Sequence, residues 1–330
     1  MSDLEAIYTQ LPEDLHTLPQ PKSDKELEEM NYRVRHWMSN IPGSIKIGSK
    51  EHRQMVCQMF RETFNPYRPT FMDWPKLTDQ EIDRLKSLPI WDIAVQTEGK
   101  ARLRMAAYVK EIMDPEWADA IARNAWEENR HKEVLSDLVR FYGIPLASES
   151  PYSVPKDPEW AYLVTGFSEC WDSFYAFGLF AIAEKSGFFT KELIETFEPV
   201  MQEECRHILL FANWLAWHRA NLPWIKRILF ELKVIAVHAF LVYERIGLIK
   251  TMDAEGEEHF QDNNFTINGV AELGNEKTTL ADFLRLCLSE DDRRFSGYDR
   301  RLLRPETAPF LTKMALWLLP KKLLNKQLVG

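Results

Sequence analysis

Glycine is scarce in this chain, 13 in 330 residues, and the four cysteines, Cys57, Cys170, Cys205 and Cys287, never fall in C-x-x-C spacing. Few glycines mean few tight turns and favour helix over sheet. Scattered cysteines exclude a disulfide scaffold and a zinc ribbon. Long apolar runs are missing too. The most apolar stretch, VIAVHAFLVY at 234–243, is flanked by Lys233 and Glu244 and is about half the length of a membrane span, so it reads as a buried helix. The start, MSDLEAIYTQ, lacks the basic-then-apolar pattern of a secretory leader, and the expectation is a reducing, cytoplasmic protein. A net charge of -9 offers no cationic footprint for phosphate backbones, so no nucleic-acid partner is expected.

What is present is helical punctuation. The first 77 residues, with LPEDLHTLPQPKSD and IPGS, read as an irregular arm carrying one helix near Lys25 to Met38. From Thr78 the start signal TDQE opens a helix to about 87. A long helix follows from Trp91 to Met113, and another runs from Pro115 to about 142. IPLASESPYSVPKDPEW, rich in proline and serine, reads as a crossover and not a tight turn. Helices at 158–186 and 190–220 form a second hairpin, and one at 223–250 precedes a polar stretch and a helical tail. The expectation is an all-α single domain: two long hairpins joined by one crossover as a four-helix bundle over 78–220, with extra helices at both ends, those of 221–330 forming the C-terminal part.

Two five-residue words stand out, EENRH at 127–131 and EECRH at 203–207. Glu-x-x-His puts both side chains on one helix face. Alone the pattern is weak, and Glu13 with His16 supplies a decoy that has no preceding helix to complete it. Counting residues outward from each hairpin turn places Glu98 level with His131, and Glu169 level with Glu204 and His207. Glu184 lies about 15 Å too near its turn to take part. Glu98, Glu128, His131, Glu169, Glu204 and His207 are therefore the candidate metal ligands and catalytic residues. Four carboxylates in a bundle core need neutralising, and two divalent ions would do it. Oxygen and imidazole donors without thiolate point to iron or manganese, and this donor pattern on four helices is that of di-iron and di-manganese carboxylate bundles.

With those residues the chain resembles the ferritin-like, ribonucleotide-reductase-like di-iron carboxylate superfamily. The words EENRH and EECRH are similar to those of soluble acyl-carrier-protein desaturases and di-iron N-oxygenases. The resemblance implies that Glu127 and Glu203 orient ligand histidines, that Arg130 and Arg206 balance their charge, and that two Fe ions, or an Mn/Fe pair, act on O2 with an external electron donor. It implies an oxygenase or oxidase of hydroxylation, desaturation or N-oxygenation type on a hydrophobic or acyl-type small molecule. The alternative is an iron-oxidising or iron-handling protein without organic substrate. Two positions depart from the pattern: Leu135 stands where a reductase would carry its radical tyrosine, and Val200 where the N-oxygenases carry a further histidine. His238 is open to two readings, extra ligand or core residue.

Around Glu169, Trp171, Phe174, Tyr175 and Phe177 are candidate pocket residues, against a reading in which they are simply core; Phe180 extends that aromatic set. The tail PFLTKMALWLLPKKLLNK fits packing against its own bundle or peripheral contact with a membrane. A homodimer is left open.

Overall fold

The computed structural model describes residues 23–65, 73–88, 90–146, 155–245, 250–252, 258–260 and 279–325. The protein is built from helices: α1 (Asp24–Arg35), α2 (Lys50–Glu62), α3 (Asp79–Ser87), α4 (Trp91–Val109), α5 (Pro115–Phe141), α6 (Pro158–Ser186), α7 (Lys191–Asn221), α8 (Trp224–Arg245), α9 (Leu280–Phe295), α10 (Thr307–Leu318) and α11 (Lys321–Leu324). A short antiparallel pair, Lys250–Met252 with Glu258–Phe260, is the remaining regular element among the described residues. The decoy pair Glu13 and His16 lies outside them.

Local chemistry sets the helix ends. Thr78 and Glu81 form a reciprocal capping box at the start of α3. Asp114 caps α5 ahead of Pro115, and Asp157 caps α6 ahead of Pro158, each proline sitting where no intrahelical N–H is required. Gly187, at φ 67°, closes α6 in the left-handed conformation that a residue with a Cβ rarely adopts. Two boundaries differ from the sequence expectation. Helix α4 stops at Val109 because the chain turns at Lys110 to meet the Asp114 cap. Helix α1 stops at Arg35 because Trp37 leaves to bridge Tyr298 in the C-terminal region.

Helices α4 to α7 pack in two pairs, α4 with α5 and α6 with α7, and the pairs meet through α4 on α6 and α5 on α7. Aromatic contacts fix the directions. At one end, Tyr108 near the close of α4 stacks on Tyr162 near the opening of α6 at 4.7 Å, and Trp117 of α5 meets Trp217 of α7 at 5.7 Å. At the other end Phe180 stacks on Phe197 at 5.4 Å and Arg84 donates to the Gly187 carbonyl. Helices α5 and α6 therefore run the same way.

The sequence reading left residues 50–62 inside the N-terminal arm. They form α2, which packs on α5 and α7 and buries His52, Met55, Val56, Met59 and Phe60. Helix α8 is also different from expectation. It is buried along one side only, through Phe230, Val234, Val237 and Leu241, while Ile235, Val242 and Tyr243 face outward. No helix among the described residues is long and apolar enough to cross a membrane.

Candidate metal centre

The six candidate ligands come from the four long helices: Glu98 from α4, Glu128 and His131 from α5, Glu169 from α6, Glu204 and His207 from α7. Glu128, His131, Glu204 and His207 each offer an atom within 4.8 Å of the others, a buried group that could hold a metal ion. Nδ1 of His131 lies 3.0 Å from Glu204 Oε1 and 3.8 Å from Glu98 Oε2. Nδ1 of His207 lies 2.7 Å from Glu128 Oε1 and 3.9 Å from Glu204 Oε1. Glu204 Oε1 thus lies within 4 Å of both imidazoles, the position a bridging carboxylate takes. Metal–ligand bonds of about 2.0–2.2 Å at right angles put neighbouring donor atoms about 3 Å apart, close to the spacing of the His131–Glu204 and His207–Glu128 pairs.

Both imidazoles are held from behind. Nε2 of His131 is 2.8 Å from Glu203 Oε2, and Nε2 of His207 is 2.9 Å from Glu127 Oε2. The carboxylates fix the proton on Nε2 and leave the Nδ1 lone pair aimed into the cluster. Neither Nδ1 has a hydrogen-bond partner, and neither has a carboxylate oxygen of Glu169, although all four atoms are shut off from solvent. A lone pair facing a carboxylate oxygen at 2.7 Å is repulsive unless a cation or a proton lies between them. An unpartnered buried carboxylate is likewise expensive. Both conditions fit divalent ions among these residues.

Electrostatics separate two layers. Glu127 and Glu203 are fully buried but matched by two buried arginines. Arg206 donates to Glu127 at 2.6 Å, and Arg130 to Glu203 at 2.6 Å and to Glu127 at 3.4 Å. Burial would raise the Glu127 carboxyl, but Arg206 and His207 outweigh it and hold it at about 2. Inside that layer the balance reverses. Burial, with Glu98 and Glu204 nearby, pushes Glu128 well above the carboxylate range, and burial with Glu128 does the same to Glu169. Burial raises Glu98 as well, but the nearby His131 and Glu128 outweigh it and leave it lowered. Glu128 and Glu169 lack the counter-charge that Glu127 possesses.

The N-terminal segment completes the outer layer. Arg206 also donates to Thr63 Oγ1 and to the Phe60 carbonyl, each at 2.7 Å, and lies 4.3 Å over the Phe60 ring. Arg130 donates to the Asn65 carbonyl and lies 4.7 Å over Trp126. Sequence reasoning missed Thr63 and Asn65, since nothing local ties them to residues more than sixty positions away. It also missed Asn124, which donates to Glu128 Oε1, and Ser173, which donates to Glu204 Oε2. Those two had a signal: Asn124 stands four residues before Glu128, and Ser173 four after Glu169, on the ligand faces of their helices. His238 keeps away from the cluster. Its Nδ1 bonds the Val234 carbonyl of its own helix at 2.9 Å and its ring packs on Phe167 at 4.3 Å.

A cavity of about 230 Å³ reaches Glu98, Glu128, Glu169 and Glu204. Trp171, Phe174, Tyr175 and Phe177 do not line it. The residues of α6 that do are Val164, Thr165, Ser168, Glu169, Asp172, Ser173, Ala176 and Phe180, one stripe at helical spacing. The expected aromatics sit on other faces: Phe174 and Phe177 are buried core, Tyr175 stacks toward Phe283 of α9, and Trp171 packs half-buried on the core. The cavity is polarised about the cluster. Toward Phe180 and Phe197 its walls are apolar and include Leu135 and Val200. Toward the start of α6 it meets Lys100, Arg104 and Glu244.

The four cysteines are all free, Cys57, Cys205 and Cys287 buried. Compared with known protein families, curated proteins and solved structures, the chain matches none of them.

Proposed function

We propose that this chain is an O2-activating non-haem di-iron oxygenase or oxidase built on a ferritin-like four-helix bundle, acting on an apolar or amphipathic small molecule. The observation that carries the reading is Glu169: a carboxylate with both oxygens buried and unpartnered, facing three further carboxylates and two imidazole lone pairs at the wall of a cavity. A site built only for stability would not leave it so, because removing that charge would stabilise the fold.

Two Fe ions, or an Mn/Fe pair, held by Glu98, Glu128, His131, Glu169, Glu204 and His207, would supply the transfer of electrons to O2 and the oxidation of a substrate C–H or N–H bond. The chain's own residues do the rest. Glu127 and Glu203 keep each Nε2 protonated and each ring aimed. Arg130 and Arg206 neutralise those acids so that the outer layer adds no charge to the site. Ser173 and Asn124 orient Glu204 and Glu128. Leu135, Phe197 and Val200 exclude water from the side of the cluster where an apolar chain would lie, and Lys100 and Arg104 place cations at the opposite end.

Anaerobic loading with Fe(II) should give about two irons per chain, and Glu128→Ala or Glu204→Ala should lower that number. Exposure to O2 with apolar acids, amines and alcohols should then oxidise one of these classes in step with O2 uptake. Full iron occupancy in both variants would remove the ligand assignment. Two-iron binding with O2 uptake driven by Fe(II) alone, and no organic product, would shift the reading to iron handling.

A further inference from the structure

Helix α8 carries apolar residues on its outer side as well as its inner side, yet lies at the surface. Its inner residues, Phe230, Val234, Val237 and Leu241, are buried against the core. Its outer residues, Ile225, Ile228, Leu229, Leu232, Ile235 and Val242, are each more than half exposed. With exposed Ala239 between Ile235 and Val242, they make one outer stripe along a 22-residue helix, about 33 Å long. Trp224 marks one end, at 73% exposure, and Tyr243 the other. A helix with this pattern is normally covered on both sides, and an exposed apolar patch of this extent marks an interaction surface.

A second apolar strip lies close by. Arg245 at the end of α8 is bonded to Asp172 of α6 at 2.7 Å, and α10 packs on α6 as well. Helix α10 exposes Phe310, Leu311, Trp317 and Leu318, the tryptophan at 81%.

Charge decides the occupant. In a chain of net charge -9, residues 307–325 carry Lys313, Lys321 and Lys322 and no carboxylate. The outer part of α8 carries Lys226 and Arg227, both exposed. Of its acids, Glu231 is taken by Arg219 at 3.0 Å, and Glu244 is buried at the cavity wall. A second copy of the chain would bring the same excess of cations, with the exposed Glu306 at the start of α10 as the one acid beside them. An anionic lipid surface supplies both the apolar layer and the counter-charge, and the terminal aromatics suit the headgroup level.

We infer that the outer face of α8, together with α10, docks on an anionic phospholipid bilayer, with α8 lying in the plane of the interface. The proposal concerns the outer surface and holds with or without metal in the core. It also has a consequence for access: Glu244 lines the charged end of the cavity, so docking brings that end beside the lipid.

The test is vesicle flotation of the full chain, with phosphatidylcholine vesicles and with phosphatidylcholine–phosphatidylserine vesicles. The wild type should float with the second and only weakly with the first. Leu229→Glu combined with Leu232→Glu changes two exposed side chains, so melting temperature and iron content should hold while binding falls about tenfold or more. Lys226→Glu with Arg227→Glu should lower binding to the anionic vesicles by about thirtyfold or more and flatten its salt dependence, each basic residue near such a surface contributing about 1 kcal/mol. Absence of wild-type binding to either vesicle would overturn the proposal, as would unchanged binding in the leucine variant. A wild-type dimer that the leucine variant splits, with no vesicle binding, would assign the face to a second copy instead.

Discussion

Glu127 and His207 stand 80 positions apart on two different helices and meet at 2.9 Å, while Glu203 and His131 meet reciprocally at 2.8 Å. The acid that opens each five-residue word thus serves the histidine that closes the other word. The repeat is a pair of halves clasped crosswise, and each half is incomplete without its counterpart.

Glu203→Gln should retain most of the iron, since no ligand is removed, yet change the rate or spectrum of the reaction with O2 because the His131 ring loses its carboxylate anchor. Iron content and stopped-flow absorbance check this. Iron loss equal to that in Glu204→Ala would place Glu203 among the ligands.

Glu169→Gln should stabilise the metal-free protein while weakening metal binding. Its carboxyl is raised in the folded state, above an ordinary 4.5. Such a group contributes stability below its unfolded value and loses it as pH rises through the folded one. The gain from the glutamine should therefore be absent in acid and grow toward neutral and alkaline pH. Melting curves of metal-free wild type and variant across that range check the slope.

Glu127 has the opposite sign. Held at about 2 when folded against an ordinary 4.5, it contributes stability above the higher value that is lost as pH falls through the lower one. Glu127→Gln should flatten that acid limb. At neutral pH it should also be destabilising by about 3–5 kcal/mol, because Arg206 stays buried without its charge partner. Denaturant titrations at two pH values separate the two effects.

Thr63→Val removes the acceptor for Arg206 Nε inside a buried network. The cost should be about 1–3 kcal/mol, with two irons still bound. A loss below a few tenths of that scale would mean that α2 covers the site without supporting it.

Phe177→Ala and Phe180→Ala separate core from cavity. Phe177 is fully buried away from the cavity, and its truncation should cost about 3–5 kcal/mol without altering substrate preference. Phe180 lines the cavity, so its truncation should shift substrate size preference more than the melting temperature. Product analysis over a series of chain lengths, beside thermal unfolding, reads both.

The sequence by itself determined most of the helices and the buried group of Glu128, His131, Glu204 and His207. Proline with a preceding aspartate at 114–115 and 157–158, the capping box at Thr78 and glycine at 187 are local signals, and local signals are what fix helix ends. Distance from a hairpin turn sets height along a helix, and that sufficed to bring Glu98 to His131 and to leave Glu184 out. What only the tertiary structure decided is which face meets which neighbour. Periodicity puts Phe177 and Phe180 on definite sides of α6 but does not say which side another helix covers and which side a cavity takes. The same indifference hid α2, whose Phe60 and Thr63 reach Arg206 across more than 140 positions, and made VIAVHAFLVY look buried on all sides. An apolar residue carries its preference for leaving water in its composition. Whether the fold supplies something to cover it depends on contacts distant in sequence, and along the outer stripe of α8 none of the described helices does.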